Sequence, residues 1–111
     1  MGVVKRGDLI NMVTQGDFGK PCPALVIQSD LFSQHPSISV LPITSFLIEA
    51  PLLRIRLEPN ELNGLIKTSQ VMIDKTLTVM REKVGAPIGS IDFATMQEID
   101  RCLAVFLGIV K

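Results

Sequence analysis

Leu52-Leu53-Arg54-Ile55-Arg56-Leu57 reads apolar, apolar, basic, apolar, basic, apolar. From Leu53 onward the side chains alternate with a period of two, the repeat of a strand with one buried face. Outward from this stretch, short apolar pieces recur in both directions. Residues 8–14 are expected to form a first strand, 24–28 a continuously apolar and buried one, 38–44 a third, 52–57 the fourth, and 70–79 another strand or two. Seven prolines and eight glycines separate these pieces, as an all-β domain requires. Residues 15–23 hold two glycines and two prolines and read as a loop, 59–64 as a turn and 86–91 as a short connector. Ser29 and Asp30 can cap a short helical turn near 30–34, which His35-Pro36 ends.

The end of the chain differs in kind. Met96, Ile99, Leu103, Phe106 and Leu107 fall at helical spacing, with Gln97, Glu98, Asp100 and Arg101 on the other side. Asp92 can cap this helix, Thr95 with Glu98 offers a second capping pair, and Gly108 is a natural stop. The expected fold is therefore mainly β: a small barrel of about five or six short strands sealed by an amphipathic helix over residues 92–107.

Bulk properties narrow the function. The 111 residues give room for a single domain, 1–111, and 47% apolar content supports a true core. Eleven basic residues balance eleven acidic ones, so any nucleic-acid site must be a local patch. The first residues lack the apolar core of a secretory leader, and the apolar tail from Cys102 to Val110 is far shorter than the ~20 residues of a bilayer span. A cytoplasmic protein without membrane attachment is expected. Cys22 and Cys102 stand eighty positions apart without CxxC or Cys/His spacing, which favours two reduced thiols over a disulfide or a zinc site. His35 is the single histidine, so a multi-histidine metal site is excluded and a serine-hydrolase triad disfavoured. No metal or cofactor is expected.

Three stretches could carry chemistry. Gly16-Asp17-Phe18-Gly19-Lys20-Pro21-Cys22-Pro23 places an acid, a base, an aromatic and a thiol between two strands, although a solvated hairpin loop would read the same. Leu41-Pro42-Ile43-Thr44-Ser45 ends a strand on two hydroxyls, which can donate to a phosphate or bond their own backbone. Ser69-Gln70-Val71-Met72-Ile73-Asp74-Lys75 sets an aspartate in an apolar strand, where it needs an ionic partner or a function.

Taken in order, Lys5-Arg6-Gly7-Asp8, Pro23-Ala24-Leu25-Val26-Ile27-Gln28-Ser29-Asp30, Leu41-Pro42-Ile43-Thr44-Ser45 and Gln70-Val71-Met72-Ile73-Asp74-Lys75 closely resemble the MazF/PemK family of toxin endoribonucleases, from about Lys5 to Phe106. The resemblance implies an SH3-like barrel, a homodimer whose groove takes single-stranded RNA, metal-independent cleavage, and a cognate antitoxin that blocks the groove with a flexible segment. It implies that Thr44 hydrogen-bonds the scissile phosphate with Ser45 beside it. Asp17 and Asp74 fall at acidic positions used by members of the family, and Thr68 and Gln70 would line the RNA cleft. Phe18, Phe32 and Phe46 lie near loops as stacking platforms for bases.

Cys22 departs from the pattern. The family has Arg-Pro-Ala where this chain has Cys22-Pro23-Ala24, and that arginine is a main catalytic group. A guanidinium holds a phosphate with two charged hydrogen bonds; a thiol of ordinary pKa is neutral at pH 7. An arginine used in one branch is likewise Met72 here. Three consequences stay open: an inactivated nuclease, an active one relying on Lys20, Lys75 or Arg81, or a thiol with its own role. Another class is a protein-binding toxin of the gyrase-poisoning CcdB type, which shares the barrel but would end on an aromatic residue; residues 107–111 hold no Trp. The RNA sequence cut and the antitoxin's identity are not written in this chain. Mean hydropathy of +0.39 independently suggests an apolar patch to cover.

Overall fold

The computed structural model describes residues 4–13 and 21–111. Within them, β1 (Asp8–Val13) pairs antiparallel with β2 (Pro21–Val26), and β2 with β3 (Ser37–Thr44). Along its other edge, β3 takes two partners in succession. β5 (Ser69–Met72) pairs with Ile43 and Thr44, and β6 (Leu77–Met80) with residues 37–40. β4 (Arg54–Leu57) extends the sheet beyond β5, and the two-residue β7 (Gly89–Ser90) adds to β1. The resulting order, β4-β5-β3-β2-β1-β7, is a curled antiparallel sheet, and the expected barrel takes this half-barrel form.

Alternation explains how one sheet builds two cores. Leu9, Leu25, Leu41, Ile43, Leu57 and Val71 point to one face, where α1 (Phe93–Phe106) lays Ile99, Cys102 and Leu103 upon them. Ile10, Met12, Ala24, Val26, Ile38 and Val40 point to the other, with Val4, Val79 and Val84 packed against them. Burial on both faces is why residues 24–28 read as an unbroken apolar run. Each fully buried Leu, Ile or Val contributes about 1.5–3 kcal/mol.

The signature Lys5-Arg6-Gly7-Asp8 fastens the sheet to the helix. Arg6 donates two hydrogen bonds to Asp100 on α1, at 2.7 and 3.2 Å, and a third to the Ile27 carbonyl. Gly7 takes a φ of +92°, and its N–H bonds Val26 of β2. The backbone N–H of Lys5 and of Arg6 donate to the Asp8 and Asp30 carboxylates.

The structure departs from expectation at several boundaries. β2 starts at Pro21, inside the expected loop, and takes its first partners on β1 only. Residues 70–79 hold two strands, within the one or two expected, but the expected 86–91 connector contains β7. The helical turn is a single 3-10 turn, Asp30–Phe32, with the Ser29 hydroxyl accepting from the Leu31 N–H. Asp92 caps α1 as expected. Phe106 and Leu107, however, are about half exposed. Buried positions stop at Leu103, so the last turn outruns the sheet that the helix covers. No helix among the described residues is long and apolar enough to cross a membrane.

Candidate functional site

The pairing of β2 with β3 stops at Ala24↔Pro42. Pro23 has no N–H with which to continue the ladder, and Pro42 likewise donates nothing. Beyond that point Thr44 turns to a different partner, Gln70 of β5. The strand ends carrying Cys22 and Thr44 therefore part, and a cleft of about 490 Å³ lies there. Its polar lining is Asn11, Cys22, Thr44, Ser45, Lys67 and Ser69; Pro23, Ile43, Leu65, Ile66 and Ile88 supply apolar wall.

The far wall belongs to the segment between β4 and β5, and Asn63 shapes it. This buried side chain accepts from the N–H of Asn60 and Leu65 through Oδ1 and donates to the Glu58 carbonyl at 2.8 Å. Gly64 follows with a φ of +68°, close against the Ile88 carbonyl. Leu65 to Lys67 are thereby turned toward the cleft. Ser69 then donates its hydroxyl to the Lys67 carbonyl at 2.8 Å, fixing the approach to β5.

On the near side, the Thr44 hydroxyl oxygen accepts from the Phe46 N–H at 3.1 Å. This is the local turn bond open to a Ser or Thr at a strand end. It orients the hydroxyl through its oxygen and leaves the proton to be donated to a ligand. Ser45 follows at the rim, and Phe46 is 75% exposed beside it.

Of the residues expected in the site, Cys22, Thr44 and Ser45 line this one cleft. Asp17, Lys20 and Phe18 lie outside the described residues. The others are placed elsewhere. Gln70 is buried and exchanges two hydrogen bonds with the Ile48 backbone, at 3.1 and 2.9 Å, so its amide holds the 45–50 segment instead of lining the opening. Thr68 donates to Glu58 at 2.6 Å on the surface; that bond, with the Arg56 guanidinium, holds the Glu58 carboxyl below its usual range. Asp74 lies in the turn after β5, four residues past the partner of Thr44. One of its oxygens is buried without a hydrogen-bond partner among the described residues, and the other is 3.7 Å from the Lys75 ammonium. Arg81 binds the carbonyls of His35 and Phe32, against the 3-10 turn and away from the cleft. Phe32 is at that same end, half exposed.

Asn11, Lys67 and Ser69 were not singled out by sequence. Asn11 could have been: it is a polar residue among Leu9, Ile10 and Met12, on the face that is otherwise core. Neither cysteine is in a disulfide. Cys102 lies in the core, where burial above all, then the Glu98 charge, pushes its thiol up from the usual 9.0, while Cys22 is half buried at the cleft.

A family model described as PemK-like, MazF-like toxin of type II toxin-antitoxin system matches residues 5–107. A probable endoribonuclease MazF of Mycolicibacterium smegmatis is 43% identical over 107 residues, which cover 96% of this chain and 98% of the relative. An endoribonuclease in complex with its cognate antitoxin, from a mycobacterial species, superposes with a TM-score of 0.81 at 22% identity, covering 97% of this chain and 98% of that one. A MazE-MazF crystal structure from Deinococcus radiodurans gives 0.77 at 22% identity, covering 97% and 98%. The structural likenesses carry the fold; the family rests on the first two matches. The chain belongs to the PemK-like, MazF-like toxins of type II toxin-antitoxin systems.

Proposed function

We propose that this chain is an endoribonuclease toxin that cuts single-stranded RNA at the cleft between the ends of β2 and β3, as a cytoplasmic homodimer held in check by an antitoxin. The observation that supports it is the meeting of Thr44, Ser45 and Cys22 at one opening; the resemblance assigns Thr44 and Cys22 to the family's phosphate-binding threonine and arginine positions. In the reaction, a base takes the proton of a ribose 2′-hydroxyl, and that oxygen bonds to the adjacent phosphorus. The bond from phosphorus to the 5′-oxygen breaks, leaving a 2′,3′-cyclic phosphate, and an acid protonates the departing oxygen. Thr44, whose oxygen is held by the Phe46 N–H, donates its hydroxyl proton to a phosphate oxygen as charge builds there. Ser45 adds a second donor at the rim, and the exposed Phe46 offers a face to an unpaired base. Cys22 leaves the clamp short of its guanidinium, so the rate is low for the family, not absent.

The test is cleavage of a single-stranded oligoribonucleotide against the same sequence with 2′-deoxyribose throughout. Cut RNA and intact DNA are expected, because only RNA carries the nucleophile. Intact RNA together with inhibited DNA supercoiling would instead favour the gyrase-poisoning alternative.

A further inference from the structure

We infer that Lys67 is the cation that holds the RNA phosphate in this cleft, in the place left by Cys22; the inference rests on the endoribonuclease reading above. Three observations converge on it. Among the described lining residues, Lys67 is the one that carries charge, and no carboxylate accompanies it. Six of the other described cations are engaged elsewhere. Arg6 is bound to Asp100, Arg56 to Glu58, Arg101 to Glu98, Arg81 to two backbone carbonyls and Lys75 stands beside Asp74. Arg54 reaches Gln70 at 3.5 Å, behind the 45–50 segment.

The third observation is positional. Lys67 lies in the bend just before β5, two residues ahead of Ser69, whose hydroxyl donates to the Lys67 carbonyl. Val71 is in the core beside its partner Ile43, Ser69 is buried at the cleft floor, and Lys67 emerges at the mouth. This stretch thus passes from apolar to hydroxyl to ammonium, and Ser69 and Lys67 line the cleft that Cys22 and Thr44 also line. A phosphodiester lying across the opening meets hydroxyl donors from β3 and a full positive charge from the approach to β5. An ammonium on a flexible stem binds such a group as a point charge, without the two-pronged geometry of arginine. That accounts for a reduced rather than abolished clamp.

The test uses the full chain and three substitutions: Lys67→Met, Lys67→Arg, and Lys83→Met as a control on an exposed lysine of the distant 81–83 turn. Binding is read on a single-stranded 2′-O-methyl oligoribonucleotide, which cannot be cut, across a salt series. Lys67→Met is expected to flatten the plot of log affinity against log salt by about 0.7, the share of one phosphate contact on a single strand. Cleavage of the ordinary oligoribonucleotide is expected to fall about 10²-fold, with Lys67→Arg retaining most of the rate and Lys83→Met unchanged. Adding Cys22→Arg to Lys67→Met is expected to restore cleavage, since the guanidinium supplies the missing charge. If the parent chain cuts RNA and Lys67→Met matches it in rate and salt slope, the inference is overturned and the nuclease stands. If the parent and Cys22→Arg chains neither bind nor cut RNA, both fall.

Discussion

Thr44 and Asp74 show how similar signals in sequence come to different ends. Both are polar residues at the edge of an apolar strand, yet Thr44 reaches the cleft while Asp74 sits in a turn with one oxygen buried and unpartnered among the described residues. Thr44→Val removes the donor and is expected to lower RNA cleavage about 10²-fold with little change in unfolding midpoint, whereas Thr44→Ser keeps the hydroxyl and most of the rate. An equal loss in both variants would mean that the methyl group, not the hydroxyl, matters. Asp74→Asn, by contrast, removes the charge from a carboxylate with one buried, unpartnered oxygen among the described residues. It should leave cleavage unchanged and the unfolding midpoint equal or higher; of the two acidic positions that the resemblance offers as the base, we assign the role to Asp17, and Asp17→Asn should carry the loss expected of a general base. A large loss for Asp74→Asn with none for Asp17→Asn would reverse the assignment. Cys22, Thr44 and Ser45 were picked out by the family resemblance that the ordered motifs carry, and the fold brings the three to one cleft. Gln70 was misread because an amide spent on the Ile48 backbone looks, in sequence, like one offered to a ligand. Lys67 was invisible for the converse reason: only folding of the 58–68 segment brings it to the opening.

At the level of elements, β-strand alternation and the helical stripe placed nearly every piece, since both follow from burial of one side. What local pattern could not give was where an element loses its cover. The expected stripe ran through Phe106 and Leu107, but contact with the sheet ends at Leu103. Two devices hold elements together, and each gives a prediction. Gly64→Ala puts a Cβ into the Ile88 carbonyl at a positive φ and should destabilise the fold by about 1–3 kcal/mol while displacing the wall that carries Lys67. Denaturant unfolding that matched the parent would show that the wall can shift without cost. At the start of α1, the Thr95 hydroxyl and then its backbone N–H hold the Asp92 carboxyl below its usual 3.8. A depressed folded-state value means that this stabilisation is complete above the unfolded value and fades as pH falls through the folded one. The unfolding midpoint of the parent should therefore drop on acidification below about pH 4 more steeply than that of Asp92→Asn, which loses that titration while keeping a capping side chain. Parallel curves would remove Asp92 from the acid response.

For the whole molecule, neutral net charge and a cleft with one ammonium among its described lining residues describe a nuclease that does not draw in nucleic acid from a distance. Exposed apolar side chains are numerous, among them Phe46, Ile66, Phe93 and Ile109. A solitary chain with so much apolar surface is expected to self-associate, and sedimentation should find a dimer. A monomer at every concentration tried would count against the homodimer. The proposed chemistry turns on position 22, where the cleft has a thiol in place of a guanidinium. The most direct measurement is the rate at which purified Cys22→Arg and the parent chain cut the same single-stranded RNA, with folding matched by circular dichroism. The substituted chain should be faster by about 10²–10³, the value of one electrostatic clamp on a phosphate. Equal rates would contradict the assignment of this cleft as the place where RNA is cut.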